Sequence, residues 1–95
     1  MSQGIIRQIR DKVRLGQYDM TGHAMEEMAE DQLDIFDVEY AIFNGQIMHA
    51  EKDDPRGTKY TIEGTAVDQQ TPVGVVGRFT NSGRYLIITV YEITD

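Results

Sequence analysis

Val73-Gly74-Val75-Val76-Gly77-Arg78-Phe79, then Thr80-Asn81-Ser82-Gly83, then Arg84-Tyr85-Leu86-Ile87-Ile88-Thr89-Val90-Tyr91, is the stretch whose reading decides the fold. Two runs rich in β-branched and aromatic residues flank a short turn whose glycine suits a left-handed backbone, so the segment predicts a β-hairpin. Strict alternation would put Leu86, Ile88 and Val90 on one face and Tyr85, Ile87, Thr89 and Tyr91 on the other. Both faces are apolar enough for a central strand. Gly74 and Gly77 lie inside an apolar strand and do not open a helix, so they form no phosphate-binding loop; they point to close packing or a bulge.

Upstream, Asp68 to Pro72 is a connection and Thr58 to Val67 a longer strand with Tyr60, Ile62 and Ala66 on one face. Asp53-Asp54-Pro55-Arg56-Gly57 is a turn, and Gln46 to Glu51 a short strand before it. Earlier still the period changes. Ile5, Ile6, Ile9 and Val13 recur at helical spacing, with Arg7, Arg10, Lys12 and Arg14 between them and Gly16 as a stop. That predicts an amphipathic helix, basic on its outer face. Thr21 is an N-cap candidate for a second helix with Ala24, Met25, Met28 and Ala29 inward. Asp34 is an N-cap for a third, with Asp37 at its third position and Val38, Ala41 and Ile42 as its apolar stripe. Helices followed by antiparallel strands predict an α+β fold: about three N-terminal helices on one face of a four-stranded, mainly antiparallel sheet. At 95 residues, 1–95 makes one domain.

Composition excludes several classes of function. There is no apolar run of about 18 residues to span a bilayer, and the first residues lack the apolar core of a signal peptide, so the expected location is the cytoplasm. With no cysteine and two unpaired histidines, His23 and His49, neither a disulfide nor a bound metal is expected, and no residue pattern calls for a cofactor. The net charge is −7, but its excess is local. Glu26, Glu27, Glu30, Asp31, Asp34, Asp37 and Glu39 fall between His23 and Gly45 without a lysine or arginine, while the rest of the chain holds equal numbers of acids and bases. One helical region is therefore acidic, and the sheet is free to be locally positive.

Few residues have chemistry to offer. His23 opens the second helix, where the dipole favours neutral imidazole and Glu26 and Glu27 favour the charged form, a balance suited to acid/base work. The competing reading has it capping the helix or bonding a carbonyl. Arg84 and Arg78 share the hairpin, where two guanidiniums can clamp a phosphate, or else pair with Glu63, Glu92 or the helical acids. Lys59 can stabilise negative charge; Tyr60 can stack on a base, or sit in the core in phase with Ile62. His49, on an edge strand, is a weaker candidate.

The segments His23-Ala24-Met25-Glu26-Glu27-Met28, Asp37-Val38-Glu39-Tyr40-Ala41-Ile42 with Gly45, Asp53-Asp54-Pro55-Arg56-Gly57-Thr58-Lys59-Tyr60 and Gly83 to Tyr91 resemble a widespread bacterial and archaeal domain family of unassigned function. That family is similar to the RelE and MqsR group of messenger-RNA interferases, the toxins of toxin–antitoxin pairs. The resemblance implies a RelE-like fold and catalytic roles for His23, Arg84 and Tyr91, with Lys59, Tyr60 and Arg78 as substrate contacts. It also implies RNA as substrate, and a small zinc-finger or helix-turn-helix antitoxin as partner; neither a membrane nor direct DNA binding is expected.

The expected activity is a metal-independent endoribonuclease in which the ribose 2′-hydroxyl attacks the adjacent phosphate. The rival expectation is a non-catalytic interaction module whose acidic helical face binds a basic partner.

Overall fold

The structure, a computed structural model, describes residues 3–94; Met1, Ser2 and Asp95 lie outside the described residues. Its elements are α1 (Gln3–Arg14), β1 (Tyr18–Met20), α2 (Gly22–Glu30), α3 (Ile35–Asn44), β2 (Gln46–Glu51), β3 (Lys59–Thr65), β4 (Pro72–Phe79) and β5 (Tyr85–Glu92). The α+β class and the three helices agree with the sequence, but the sheet has five strands, in the order β1-β5-β4-β3-β2. The unexpected strand is β1, only Tyr-Asp-Met, which pairs in parallel with the start of β5. Three residues are too few to show a period, and this strand exists through its distant partner.

One sheet face carries the core. Ile62, Val75 and Val90 are paired across β3, β4 and β5, and all three are fully buried together with Ile9, Val38, Ala41 and Ile42 from the helices. In α2 only Ala24 is buried and Met28 partly so; Met25, expected inward, is half exposed, and Ala29 is exposed too. The simple alternation expected for β5 also fails. Gly77 faces Ile87 but Val76 faces Thr89, so Ile88 is an extra residue and the strand changes phase there. Tyr85, Ile87 and Val90 consequently turn to the core, and Leu86, Thr89 and Tyr91 to the other face. The two glycines of β4 serve rings from β5: a Cβ at Gly74 would run into Tyr91, and one at Gly77 into Tyr85.

The helix ends follow local chemistry. Thr21 Oγ1 accepts from the Ala24 amide at 3.0 Å and donates to the Ile88 carbonyl at 3.1 Å, so one hydroxyl both caps α2 and ties it to β5. Asp34 and Asp37 form a reciprocal capping box on α3. The other end of α3 is held from outside. Arg10, expected on the outer face of α1, turns to α3 and donates from Nε to the Ile42 carbonyl at 3.0 Å and from Nη2 to Gly45 at 2.7 Å. A guanidinium on the last carbonyls satisfies orphan acceptors and opposes the negative end of the dipole. Arg10→Ala is expected to cost about 2 kcal/mol, the scale of charge-assisted hydrogen bonds, in urea unfolding. A loss below about 0.5 kcal/mol would show that water replaces the guanidinium without penalty.

Tyr85 is fully buried, its ring edge-on to Phe79 with centroids 5.2 Å apart, and its hydroxyl has no hydrogen-bond partner among the described residues. Burial, and then the neighbouring Tyr60, push that hydroxyl's pKa upward. Tyr85→Phe is expected to leave stability unchanged or raise it by up to about 1 kcal/mol, because it removes a desolvated donor at constant shape. A clear loss in the unfolding midpoint would reveal a partner for the hydroxyl.

Candidate functional site

The helices cover one sheet face and leave the other without a helix. The pairings place one row of residues across all five strands on that outer face: Asp19 opposite Leu86, Leu86 opposite Arg78, and Glu51 opposite Lys59. Extending the β3–β4 register one residue beyond the Tyr60–Gly77 pair sets Lys59 opposite Arg78. Arg84 precedes Leu86 by two residues, on the same face. The sheet thus brings three of the predicted cations, Arg84, Arg78 and Lys59, into one band.

The two ends of the band are paired with acids. Arg84 donates from Nε to Asp19 Oδ2 at 2.8 Å, and from Nη2 to Asp19 Oδ1 and the Tyr18 carbonyl at 3.1 Å each. That fork latches β1 to β5, and its hydrogen bond to Asp19 holds that carboxyl below its usual range. The partner is none of the acids expected from sequence. Lys59 Nζ lies 3.0 Å from Glu51 and 3.9 Å from Asp54. Asp54 is depressed to about 2, chiefly by the side-chain hydrogen bond from Arg56, with Lys59 contributing least. Arg78, in the middle, makes no hydrogen bond or ion pair with another side chain among the described residues.

Two further rows run beside the band. His49, Thr61, Val76 and Thr89 form one; Gln46, Glu63, Gly74 and Tyr91 form the next. The Tyr91 ring lies over Gly74, and its hydroxyl is raised in pKa by burial first and then by the charge of Glu63. His49 is exposed on this face. Tyr60 is not on it: its ring is edge-on to Phe79 at 6.3 Å on the core side, which matches the core alternative.

His23 stands at the opposite edge from His49, in the first turn of α2. Its Nε2 lies 3.3 Å from Glu27 Oε1, and the same carboxylate oxygen accepts from the Val90 amide at 3.2 Å. The imidazole remains 67% exposed, so it is reachable from solvent. It is joined to neither Arg84 nor Arg78 by a hydrogen bond or ion pair. Arg84 and Val90 are separated by roughly 20 Å of strand. The structure therefore groups His23 with Glu27 and groups Arg84 with Asp19, as two separate constellations.

Glu27 is the residue whose role the sequence reading missed. Beyond β1, the outer edge of β5 is covered by α2: Glu27 accepts from Val90, and Asp31, four residues on, accepts from the Glu92 amide at 2.8 Å. The spacing His23, Glu27, Asp31 on one helix face was the available signal. These carboxylates close a strand edge that would otherwise offer free amides to another chain. Among the described residues no group of histidine, cysteine and carboxylate side chains is arranged to hold a metal, and no helix is long and apolar enough to cross a membrane.

An α+β domain with one helix-covered and one helix-free sheet face, the latter crossed by a cationic band, is the class this geometry defines. Residues 20–92 match the family described as a domain of unknown function (DUF4258), and the chain belongs to that family. No curated protein and no solved structure matches the chain significantly.

Proposed function

We propose that this chain is a metal-independent endoribonuclease of the RelE- and MqsR-like kind, a cytoplasmic toxin that binds RNA on the helix-free sheet face. The observation that carries the reading is the Arg84–Arg78–Lys59 band, with Arg78 at its centre unpaired among the described residues. A phosphodiester entering there meets Arg78 directly and competes with Asp19 and Glu51 for the other two cations. His23 Nε2 lies 3.3 Å from Glu27 Oε1, and Glu27 is itself held by the Val90 amide, so the exposed imidazole has a positioned carboxylate beside it for acid/base work.

The 2′-oxygen attacks phosphorus while its proton passes to His23. The bond to the 5′-oxygen breaks, and that oxygen leaves with a proton from the imidazolium or water. The products are a 2′,3′-cyclic phosphate and a free 5′-hydroxyl. Arg78 and Lys59 hold phosphates of the flanking strand on the sheet face, and Tyr91, next to the Val90 amide that holds Glu27, orients the substrate at His23. A small antitoxin of zinc-finger or helix-turn-helix type would be the neutralising partner.

A second placement of the base rests on one observation: His49 shares the helix-free face with Lys59, while His23 flanks it. The test is cleavage of a mixed-sequence RNA by purified protein in excess chelator, with end-group analysis. Cyclic phosphate ends are expected. No cleavage, either alone or with translating ribosomes added, would overturn the reading.

A further inference from the structure

The outward side of α3 is apolar although the helix already has a buried side. Val38, Ala41 and Ile42 are fully buried, whereas Phe36 is 66% exposed, Phe43 is 38% exposed, and Tyr40 between them is partly exposed. At about 100° per residue, Phe36, Tyr40 and Phe43 fall on one stripe opposite the buried one. An aromatic stripe at i, i+4 and i+7 is the pattern a partner helix engages, and three such side chains on one turn-spaced line are not the scattered exposed apolar residues of an ordinary surface.

Charge selects the occupant. Glu39 flanks the stripe on one side, Asp37 on the other, and Asp34 stands at its N-terminal end. Each is hydrogen-bonded to a neutral donor: Glu39 to the Tyr18 hydroxyl, Asp37 to the Asp34 and Val67 amides, and Asp34 to the Asp37 amide. None of the three forms an ion pair among the described residues, so their charge is left for a partner. The cation at the stripe is Arg14, 5.8 Å above the Phe43 ring, and its own charge is taken by Asp11 at 2.6 Å. We propose that this acid-framed stripe, Phe36, Tyr40 and Phe43, docks a basic amphipathic helix of a partner protein. A second copy of the chain packed stripe to stripe would set acidic frame against acidic frame, and an anionic lipid surface would be repelled in the same way.

The probe is a fluorescent helical peptide with leucines at i, i+4 and i+7 and lysine or arginine on its flanks, compared with a peptide of identical composition in scrambled order. Anisotropy titration needs no catalytic activity, so its result is independent of RNA cleavage. The ordered peptide should bind at least about tenfold tighter than the scrambled one and weaken with salt. The Phe36→Ser/Phe43→Ser double variant, shown by circular dichroism to be folded at the assay temperature, should lose at least about tenfold in affinity, and so in smaller measure should Phe36→Ser alone, whose ring is 66% exposed. Equal binding of the two peptides, or undiminished binding by a folded double variant, would overturn the proposal. So would a concentration-dependent dimer, or adsorption to anionic vesicles, that the double variant abolishes.

Discussion

Gly64→Ala is expected to destabilise the domain by about 3 kcal/mol, the upper end for overpacking, out of a total of roughly 5–10 kcal/mol for a chain of this size. The position is where α3 comes down on the sheet. A Cβ at Gly64 would collide with the Ala41 carbonyl, and one at Gly45 would lie 2.5 Å from the same oxygen and 2.5 Å from the Glu63 carbonyl. These obstacles are backbone, so no rotamer change relieves them. Asn44 adds to the constraint, bridging the same junction by accepting from the Thr65 amide and donating to the Thr65 carbonyl, each at 2.9 Å. Urea unfolding followed by circular dichroism measures the loss, with Gly4→Ala as control. Gly4 has open space around its would-be Cβ and lies in α1, so alanine there should be neutral or stabilising by up to about 1 kcal/mol. A cost below about 1 kcal/mol at Gly64 would mean that α3 can lift from the sheet with little loss of packing.

His23→Ala is expected to reduce RNA cleavage by about 10²-fold or more, the contribution typical of a positioned acid/base group. The side chain is largely exposed, so its removal should leave the fold intact, and an unchanged melting temperature is part of the expected result. Glu27→Gln separates the two jobs of its partner. The amide oxygen can still accept from Val90, so stability should hold, while loss of the carboxylate beside the imidazole should lower the rate of cleavage. Full activity in His23→Ala would remove this residue from the mechanism. If His49→Ala abolished cleavage instead, the acid/base group would lie on the helix-free face at its β2 side, near Lys59.

Much of the local structure was legible because its causes are local. Thr21 and Asp34 cap their helices through amides three residues ahead, and the apolar stripe Val38, Ala41, Ile42 repeats with the helical period. Strand positions from Gln46 onward followed the turn residues and the β-branched runs. The phase of β5 was not legible, since the bulge at Ile88 is defined by which residues of β4 it faces. Neither was β1, whose three residues gain their hydrogen bonds from a strand more than sixty residues away.

The candidate site divides along the same line. The chemistry-bearing residues are all visible in the chain, but their partners are set by strand register and by the crossing of α2 over the edge of β5. Arg84 meets Asp19 because β1 joins β5, Lys59 meets Glu51 because β2 pairs with β3, and Tyr60 turns inward with Ile62. The sequence by itself determined the α+β class, the helix caps and the identity of the reactive side chains, because these depend on composition and on contacts a few residues apart. The tertiary structure alone decided the fifth strand, the face on which Tyr91 lies, and which cations stay free, because each depends on hydrogen bonds and ion pairs between residues far apart in the chain.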